Sequence, residues 1–243
     1  MPPAAATSPS PPSAEIDQSL PTRERLVLAA LHLFWAQGYA ATSLNQILHE
    51  AGANPGSLHH FFPTKDALLH AVIDQLELIH THILNQCYPG SSSEGGGMFV
   101  RSTNAEGAAG RTDEHNEQGS PPSPLRASVP PCLPSPSPDP LAIFHFYRDF
   151  LRRGDCALGC PILNLACELS DSHPDIRPRL DALLAQTRAR IASTLVSHPY
   201  PELLALLITT ALHGALIHAR AAKSTAPLEA AHTQLLTLIT RPQ

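Results

Sequence analysis

The sequence predicts an all-α protein with a three-helix head near its N-terminus, a long linking helix and a C-terminal helical bundle. Two observations favour this class: apolar residues recur at helical spacing across residues 22–87 and 141–239, and glycine or proline separates the periodic segments. A third observation sets the limits of the folded parts. Sixteen of the 25 prolines fall within residues 1–21 and 89–140, which lack that periodicity.

The first helix is predicted over Thr22–Gln37, and Gly38 ends it. Its apolar stripe consists of Leu26, Ala29, Ala30, Leu33 and Phe34. Thr42 and Ser43 then offer hydroxyl caps to a second helix of two to three turns. Gln46 stands three residues after Ser43, which is the spacing of a capping box.

A short third helix is predicted over Pro55–Phe61, and Pro63 ends it. Gly52 suits a tight turn with positive φ, and Asn54 leads into Pro55, which fits the first helical turn because it has no N–H to leave unpaired. A fourth helix runs from residue 64 to about 87. The order of cap, turn, proline and new helix over residues 43–62 is typical of a helix-turn-helix that reads DNA.

Residues 21–80 resemble the TetR family of bacterial transcriptional repressors. The resemblance rests on Leu33 with Phe34, the Gly-aromatic-x-x-Thr-Ser step at 38–43, Ala51 with Gly52, the Gly-Ser-Leu step at 56–58, Phe62 with Pro63, Lys65 and Leu68. It implies an all-helical homodimer whose third helix enters the major groove of double-stranded operator DNA, while the C-terminal body binds a small-molecule inducer. The DNA-binding residues expected on this basis are Thr42, Ser43, Asn45, Asn54, Pro55, Gly56, Ser57, His59, His60 and Lys65, with Lys65 gripping a phosphate.

The fixed charges of the head cancel, which favours modest non-specific DNA binding. Over residues 21–66 three cations oppose three anions, namely Arg23, Arg25 and Lys65 against Glu24, Glu50 and Asp66. In addition, His59 stands where the TetR family usually has tyrosine, and Phe61 where a histidine or tyrosine donor is common. These features leave open an alternative, a helical ligand-binding protein without specific DNA recognition.

Residues 1–20 and 89–140 are predicted to be disordered, because they offer too little apolar surface to offset the entropy of ordering. The domains are therefore a DNA-binding head over 21–80 and a ligand-binding and dimerisation domain over 141–243. No signal peptide is apparent and no apolar run approaches about 18 residues, so no membrane span and a cytoplasmic location are expected. The net charge of −5 is in keeping with solubility and does not indicate a site.

Five further helices are predicted over 141–151, 161–169, 176–196, 203–222 and 228–239. The segment 203–222 is apolar on nearly every side, so it must be buried against other helices or a second subunit. The last two helices are expected to supply half of a four-helix dimer interface, as the resemblance also implies.

The motif Gly-Cys-Pro-x-x-Asn-x-x-x-Glu at 159–168 is similar to one that lines the ligand chamber in a subset of TetR-like regulators. Its Cys160, Asn164 and Glu168 share one helical face, which offers a small inducer a thiol, an amide and a carboxylate. Helix capping within the body explains the same residues equally well. The predicted pocket residues are Phe144, Tyr147, Cys160, Asn164, Cys167, Glu168 and His213.

Five cysteines make an odd count, which argues against a disulfide framework. Cys156 and Cys160 lie near Arg152 and Arg153, whose charges favour a reactive thiolate, so a redox- or electrophile-sensing repressor is a second hypothesis. The histidines do not show zinc-ligand spacing, and no catalytic motif is visible, so neither a metal, a cofactor nor an enzymatic activity is predicted. The leading interpretation is a repressor that an inducer releases from its operator.

Overall fold

The computed structural model describes residues 16–89, 139–154 and 156–240, and these form helices joined by turns. Nine helices lie within those ranges: α1 (Thr22–Gln37), α2 (Leu44–Ala51), α3 (Pro55–Phe61), α4 (Lys65–Cys87), α5 (Ala142–Arg153), α6 (Pro161–Leu169), α7 (Arg177–Thr194), α8 (Pro201–Ala222) and α9 (Ala226–Thr240). The predicted all-α class is confirmed. The predicted disorder of 1–20 and 89–140 falls almost wholly outside the described residues, and within 16–20 Ile16 packs against the core.

Helices α1 to α3 form the head; α1 and α3 have the predicted bounds, and local caps fix the starts of α2 and α3. Ser43 Oγ accepts a hydrogen bond from the Gln46 N–H at 3.2 Å, and Gln46 Oε1 accepts one from the Ser43 N–H at 2.8 Å. These two bonds complete the predicted capping box. Gly52 has a φ of +58°, the left-handed conformation that its turn requires. The capping box and the Gly52 turn both involve residues close together in the chain, so the sequence alone specifies them.

Helix α4 joins the head to the body, and Thr64 caps its start by accepting from the Ala67 N–H at 3.0 Å. It packs on α1 within the head and on α5 and α7 of the body. Arg179 of α7 donates to Asp74 at 2.6 Å and to Glu77 at 2.8 Å, so a forked ion pair crosses the α4–α7 contact. The long helix is therefore held at both ends and along its side.

Helices α5 to α9 form the body, and their bounds differ from the prediction by one or two residues at most ends. The largest contacts inside the body are α8 with α9 and α7 with α8. The buried side chains of head and body belong to one continuous apolar cluster that includes Phe34 of α1, Ile73 of α4, Phe144 of α5 and Leu165 of α6. Because head and body share one close-packed core, a displacement of side chains in the body can shift side chains in the head.

Helix α8 is long and apolar. By length and composition alone it could cross a membrane, and it is the one helix in the described part of the chain with that property. In the fold its small and branched residues Ala205, Ile208 and Ala219 are fully buried against neighbouring helices. This packing accounts for part of its apolar character, and a further apolar face of the helix remains exposed.

Candidate DNA-binding surface and ligand cavity

Helix α3 projects from the head as an exposed rod. Leu58 anchors it with 1% of its surface exposed, because this side chain joins the core between α1 and α2. The other predicted DNA-binding residues around it are exposed: Ser43, Asn45, Asn54, Pro55, Gly56, His59 and His60, with Ser57 half-buried. One buried face and one open face are what a recognition helix needs to be rigid and still reach base edges.

The start of α3 is fixed by its own polar side chains. Asn54 Oδ1 accepts from the Ser57 N–H at 2.9 Å and from the Ser57 hydroxyl at 3.1 Å. Pro55 occupies the first helical position, as predicted. The cap thus sets the direction in which the exposed histidines of α3 leave the head.

Two predicted DNA contacts have their polar atoms committed elsewhere. Thr42 is only 2% exposed, and its hydroxyl donates to the Gly38 carbonyl at 2.7 Å. Lys65 Nζ donates to the Tyr39 carbonyl at 2.5 Å and lies 4.1 Å from the centre of the Tyr39 ring. Burial lowers the pKa of Lys65. Thr42 therefore offers no free hydroxyl to DNA, whereas Lys65 is half-buried and uses one ammonium hydrogen within the head, so its contact with a phosphate stays a prediction.

The remaining cations of the head are also partly engaged. The Arg23 guanidinium lies 5.4 Å from the centre of the Phe62 ring, and Arg25 donates to Gln18. His32 lies 2.5 Å from a carboxylate oxygen of Glu50. The head therefore offers a small cationic surface, in keeping with its balanced charge.

A cavity lies where α1 and α4 of the head meet α5, α6, α7 and α8 of the body, and it encloses about 70 Å³. Aromatic and aliphatic side chains supply almost the whole wall: Leu31, Trp35, Leu76, Ile79, Ile83, Ile143, Phe146, Phe150, Ile162, Leu184 and Leu212, with Pro161 beside them. Trp35 stacks on Phe150, with ring centres 5.2 Å apart and planes within 5° of parallel. Pockets for drug-sized ligands reach about 300–1,000 Å³, so a larger ligand must displace lining side chains.

The polar atoms on the wall of this cavity carry no fixed charge. They belong to His80, Tyr147, Cys160, Thr187 and His213. His80 is 5% exposed; its Nε2 lies 2.9 Å from the Thr187 hydroxyl, and its buried Nδ1 makes no hydrogen bond within the described residues. Burial lowers the pKa of His80 to about 4, so the imidazole is neutral near pH 7.

The predicted pocket residues divide into two groups. Tyr147, Cys160 and His213 line the cavity. The other four lie outside it: Phe144 packs on His232, Cys167 is exposed, Asn164 donates to the Trp35 carbonyl, and Glu168 accepts from the head. The spacing of the motif predicted one shared face, but Asn164 and Glu168 contact the end of α1 and the turn after it, not the cavity.

Most wall residues were not assigned to the pocket from the sequence, among them His80 and Trp35. His80 stands four residues after Leu76 and four before Leu84, so it occupies the apolar stripe of α4. A polar residue on such a stripe is a detectable pattern. Trp35 gave no comparable indication, because it follows the predicted apolar stripe of α1 directly.

The hypothesis of a reactive thiolate is not supported at Cys160. This thiol is 3% exposed, and burial raises its pKa, against smaller opposing effects of a hydrogen bond with Tyr147 and of nearby backbone amides. Cys156 is also buried, and Arg152 donates to Glu229 at 2.8 Å. The arginines that are close in sequence therefore do not create an exposed thiolate. No group of three or more potential metal ligands occurs in the part of the chain that the structure describes.

Two family models match the chain. Residues 26–72 match the model for bacterial regulatory proteins of the tetR family, and residues 141–234 match the C-terminal domain of LmrA/YxaF-like transcriptional regulators. The first match covers the head and the start of α4, and the second covers most of the body. Together they account for more than half of the chain.

Curated relatives point the same way. The chain is 40% identical over 85 residues to the HTH-type transcriptional regulator YxaF of Bacillus subtilis, which covers 34% of this chain and 44% of that protein. It is 27% identical over 175 residues to an HTH-type transcriptional regulator encoded in the lacX 3′ region of Lactococcus lactis, covering 72% of this chain and 68% of that one. The chain thus spans less than half of the YxaF length in that match.

Solved structures share the fold. A TetR transcriptional regulator from Chloroflexus aurantiacus superposes with a TM-score of 0.63 at 26% identity, covering 90% of this chain and 94% of that chain. A TetR transcriptional regulator from Legionella pneumophila gives a TM-score of 0.64 at 18% identity, covering 93% and 100%. Fold, exposed α3 and sequence matches together define a helix-turn-helix, DNA-binding transcriptional regulator. The chain belongs to the TetR family, whose members are regulators and not enzymes.

Proposed function

We propose that this protein is a repressor that binds operator DNA as a homodimer and is released by an uncharged, largely apolar ligand in the cavity described above. In this proposal residues 21–80 form the DNA-binding domain and 141–243 the ligand-binding and dimerisation domain. As a DNA-binding regulator it acts in the cytoplasm, where bacterial DNA lies. The observation that carries the proposal is the exposed α3, anchored by Leu58 and directed by the Asn54 cap.

Base reading is assigned to the exposed residues of α2 and α3. Asn45, His59 and His60 are the side chains of this surface that can both reach outward and hydrogen-bond to bases. Ser43 and Gly56 lie near helix starts, where backbone N–H groups suit phosphate oxygens. Thr42 is left out because its buried hydroxyl donates within the head, and Lys65 is kept as a candidate for a phosphate contact.

Dimerisation is assigned to the uncovered face of α8 and α9. Six large apolar side chains on these helices are 46–67% exposed: Leu203, Leu206, Leu207, Ile217, Leu236 and Leu238. An apolar face of this kind on two neighbouring helices suits a second copy of the same face, because a twofold interface pairs identical patches. A dimer places two copies of α3 on successive major grooves, about 34 Å apart.

Release is assigned to expansion of the cavity. Its wall includes Leu76, Ile79 and Ile83 of α4. Because the empty cavity is small and its walls are well packed, a ligand that enters must move α4 or the helices facing it. A shift of α4 changes the distance between the two heads, and the dimer then no longer fits both grooves.

The DNA-binding arm is tested by selecting bound fragments from random DNA and measuring affinity by gel shift. The His59→Ala/His60→Ala double variant is expected to bind the selected fragment at least tenfold more weakly, because each good base contact contributes about 1–3 kcal/mol. His145→Ala, which removes a histidine from the body, is the matched control and should bind like the wild type. Equal affinity of all three proteins would refute the assignment of base reading to α3.

The ligand arm is tested with N-phenyl-1-naphthylamine, an uncharged aromatic probe that accepts energy from tryptophan. Trp35 is the sole tryptophan of the chain and lines the cavity, so its emission should fall as the probe binds. The probe should also release the selected DNA. Leu184→Phe fills the cavity and should abolish both effects while leaving DNA binding intact; release that persists in this variant would contradict the proposal.

A second candidate, a helical ligand-binding protein without specific operator recognition, is favoured by one observation, the small cationic surface of the head. It predicts that selection yields no enriched fragment even at low salt, where phosphate contacts are strongest.

A further inference from the structure

Helix α6 holds the end of α1 through a set of hydrogen bonds that cross from body to head. The Trp35 indole N–H donates to the Gly159 carbonyl at 2.9 Å, and Asn164 Nδ2 donates to the Trp35 carbonyl at 3.5 Å. Glu168 accepts from the backbone N–H groups of Tyr39 at 2.8 Å and Ala40 at 2.7 Å. These residues are called the α1–α6 clasp below. All three body residues of the clasp come from the motif that sequence reasoning assigned to the ligand chamber.

The clasp acts where the backbone of the head has lost its helical partners. The last carbonyls of a helix and the amides that follow it need other hydrogen-bond partners. Here the Gly38 N–H donates to the Phe34 carbonyl, and Arg220 of α8 donates to the Ala36 carbonyl at 3.1 Å. Glu168 accepts from the two amides that follow Gly38. The turn that leads from α1 into α2 is therefore completed by side chains of the body.

The backbone of Gly38 is shaped for the approach of this carboxylate. Gly38 has a φ of +94°, and a Cβ at this position would lie 2.9 Å from Glu168 Oε2. Any side chain here would both strain the backbone and push the carboxylate away from the amides. Glycine at position 38 thus serves the head–body contact as well as ending α1.

The peptide of Tyr39 is held from two elements at once. Its N–H is bound by Glu168 of α6, its carbonyl accepts from Lys65 of α4, and its hydroxyl donates to Asp66 at the start of α4. The His173 ring, which follows α6, packs edge-on against the Tyr39 ring at 5.1 Å. A displacement of α6 relative to α4 must therefore disturb this turn, which leads directly to the capping box of α2.

The other end of the clasp forms part of the cavity wall. Trp35, Cys160 and Pro161 all line the cavity, and Cys160 precedes Glu168 by eight residues, about 12 Å along a helix. Helix α6 is a single rigid element of nine residues. A ligand that moves Trp35 or the start of α6 thereby changes the position of the carboxylate at its far end.

We propose that Glu168 is the positioning residue that couples occupancy of the cavity to the orientation of the DNA-binding head. Its positioning of the head stands on the contacts above, whereas its response to a ligand rests on the proposed function. Ligand binding withdraws the carboxylate from the Tyr39 and Ala40 amides, and the α1–α2 turn is released. The carboxylate is solvent-exposed, so water can replace it at little cost, which suits a contact that must open and close.

The test compares Glu168→Gln, which weakens the acceptor without changing its shape, with Asp181→Asn, which removes the same charge from an exposed site on α7. Glu168→Gln should speed hydrogen exchange of the Tyr39 and Ala40 amides at least tenfold and weaken binding of the selected DNA about threefold to tenfold. Its melting temperature should stay within a few degrees of the wild type. Asp181→Asn should change none of these quantities.

Coupling is read with the naphthylamine probe. In the wild type the probe should speed exchange of the same two amides, whereas in Glu168→Gln exchange is already fast and the probe should add less than a twofold change at unaltered probe affinity. A residue that only stabilised the fold would lower the melting temperature and leave this coupling intact. Glu168→Asp, which keeps the charge on a shorter side chain, should restore part of the DNA affinity.

The two proposals fail in different ways. If the wild type binds DNA and Glu168→Gln binds it with equal affinity, the role of Glu168 is refuted while the proposed function stands. If the wild type binds no selected DNA, the proposed function fails. The exchange rates of the Tyr39 and Ala40 amides, with and without probe, then decide whether Glu168 positions the α1–α2 turn. Unchanged exchange of Tyr39 and Ala40 in Glu168→Gln refutes it in either case.

Discussion

Replacing His80 with glutamine should reduce the acid sensitivity of folding. The neutral imidazole is buried in the cavity wall, and burial lowers its pKa to about 4 from the 6.5 of an exposed histidine, with Arg190 lowering it further and Gln186 opposing the change. An unfolded chain therefore binds a proton at His80 at a higher pH than the folded protein does. Folding stability is complete above about pH 6.5 and falls as the pH decreases towards 4.

The size of the effect follows from these two pKa values. Their difference corresponds to a loss of about 3 kcal/mol once the pH is below both values. At pH 5.0, between the two values, the expected loss from His80 is about 2 kcal/mol, and at pH 7.5 it is close to zero. Glutamine does not titrate, so any cost of the substitution itself is the same at both pH values.

Urea unfolding at pH 7.5 and 5.0, followed by Trp35 emission, measures the difference. The wild type should lose about 2 kcal/mol more than His80→Gln on acidification, because the other titrating groups are common to both proteins and cancel. Equal losses in the two proteins would show that the His80 ring is accessible to protons in the folded state. The description of the cavity wall as uncharged would then be wrong.

Three further outcomes are expected. Leu206→Glu on the exposed face of α8 should sediment as a monomer and bind the operator at least a hundredfold more weakly. The control Leu78→Glu, at an exposed site on α4, should remain a dimer. A Leu206→Glu protein that is still dimeric would exclude this interface. Gly38→Ala should lower the unfolding free energy by about 1–3 kcal/mol, because its φ of +94° and the nearby Glu168 carboxylate disfavour a Cβ. Gly154→Ala is the control, because this glycine has a φ of −105° and an added Cβ would meet one atom at 3.8 Å, so it should change the unfolding free energy by less than about 1 kcal/mol; calorimetry that ranks the two variants the other way would contradict this explanation of the turn. The logarithm of operator affinity should fall with the logarithm of salt concentration with a slope shallower than about −6, since the head has few available cations, and a slope near −10 would contradict it.

The head could be predicted closely from the sequence because its structure is determined locally. The Ser43 capping box, the Gly52 turn and the Asn54–Pro55 start each involve residues within a few positions of one another, so spacing alone specifies them. The ends of α7 and α8 were predicted less closely. No side chain caps the start of either helix, so tertiary packing sets those ends.

Side-chain roles could not be predicted where they depend on contacts distant in sequence. The resemblance assigned Lys65 to a phosphate, but it could not show that the same ammonium also donates to the Tyr39 carbonyl. Helical spacing placed Glu168 on the face of Cys160, but it could not show that α1 covers the far end of that face. Proximity of arginines in sequence suggested a thiolate at Cys160, whereas burial beside Tyr147 determines the properties of that thiol.

Footprinting of the selected DNA, combined with the mass of the complex from sedimentation, tests the central proposition that paired α3 helices read successive grooves. If paired α3 helices read successive grooves, two half-sites about 34 Å apart should be protected on one face of the duplex, bound by two copies of the chain. Protection at both half-sites should also be lost together in His59→Ala/His60→Ala. A single chain per site, or protection that persists in this double variant, would contradict the account.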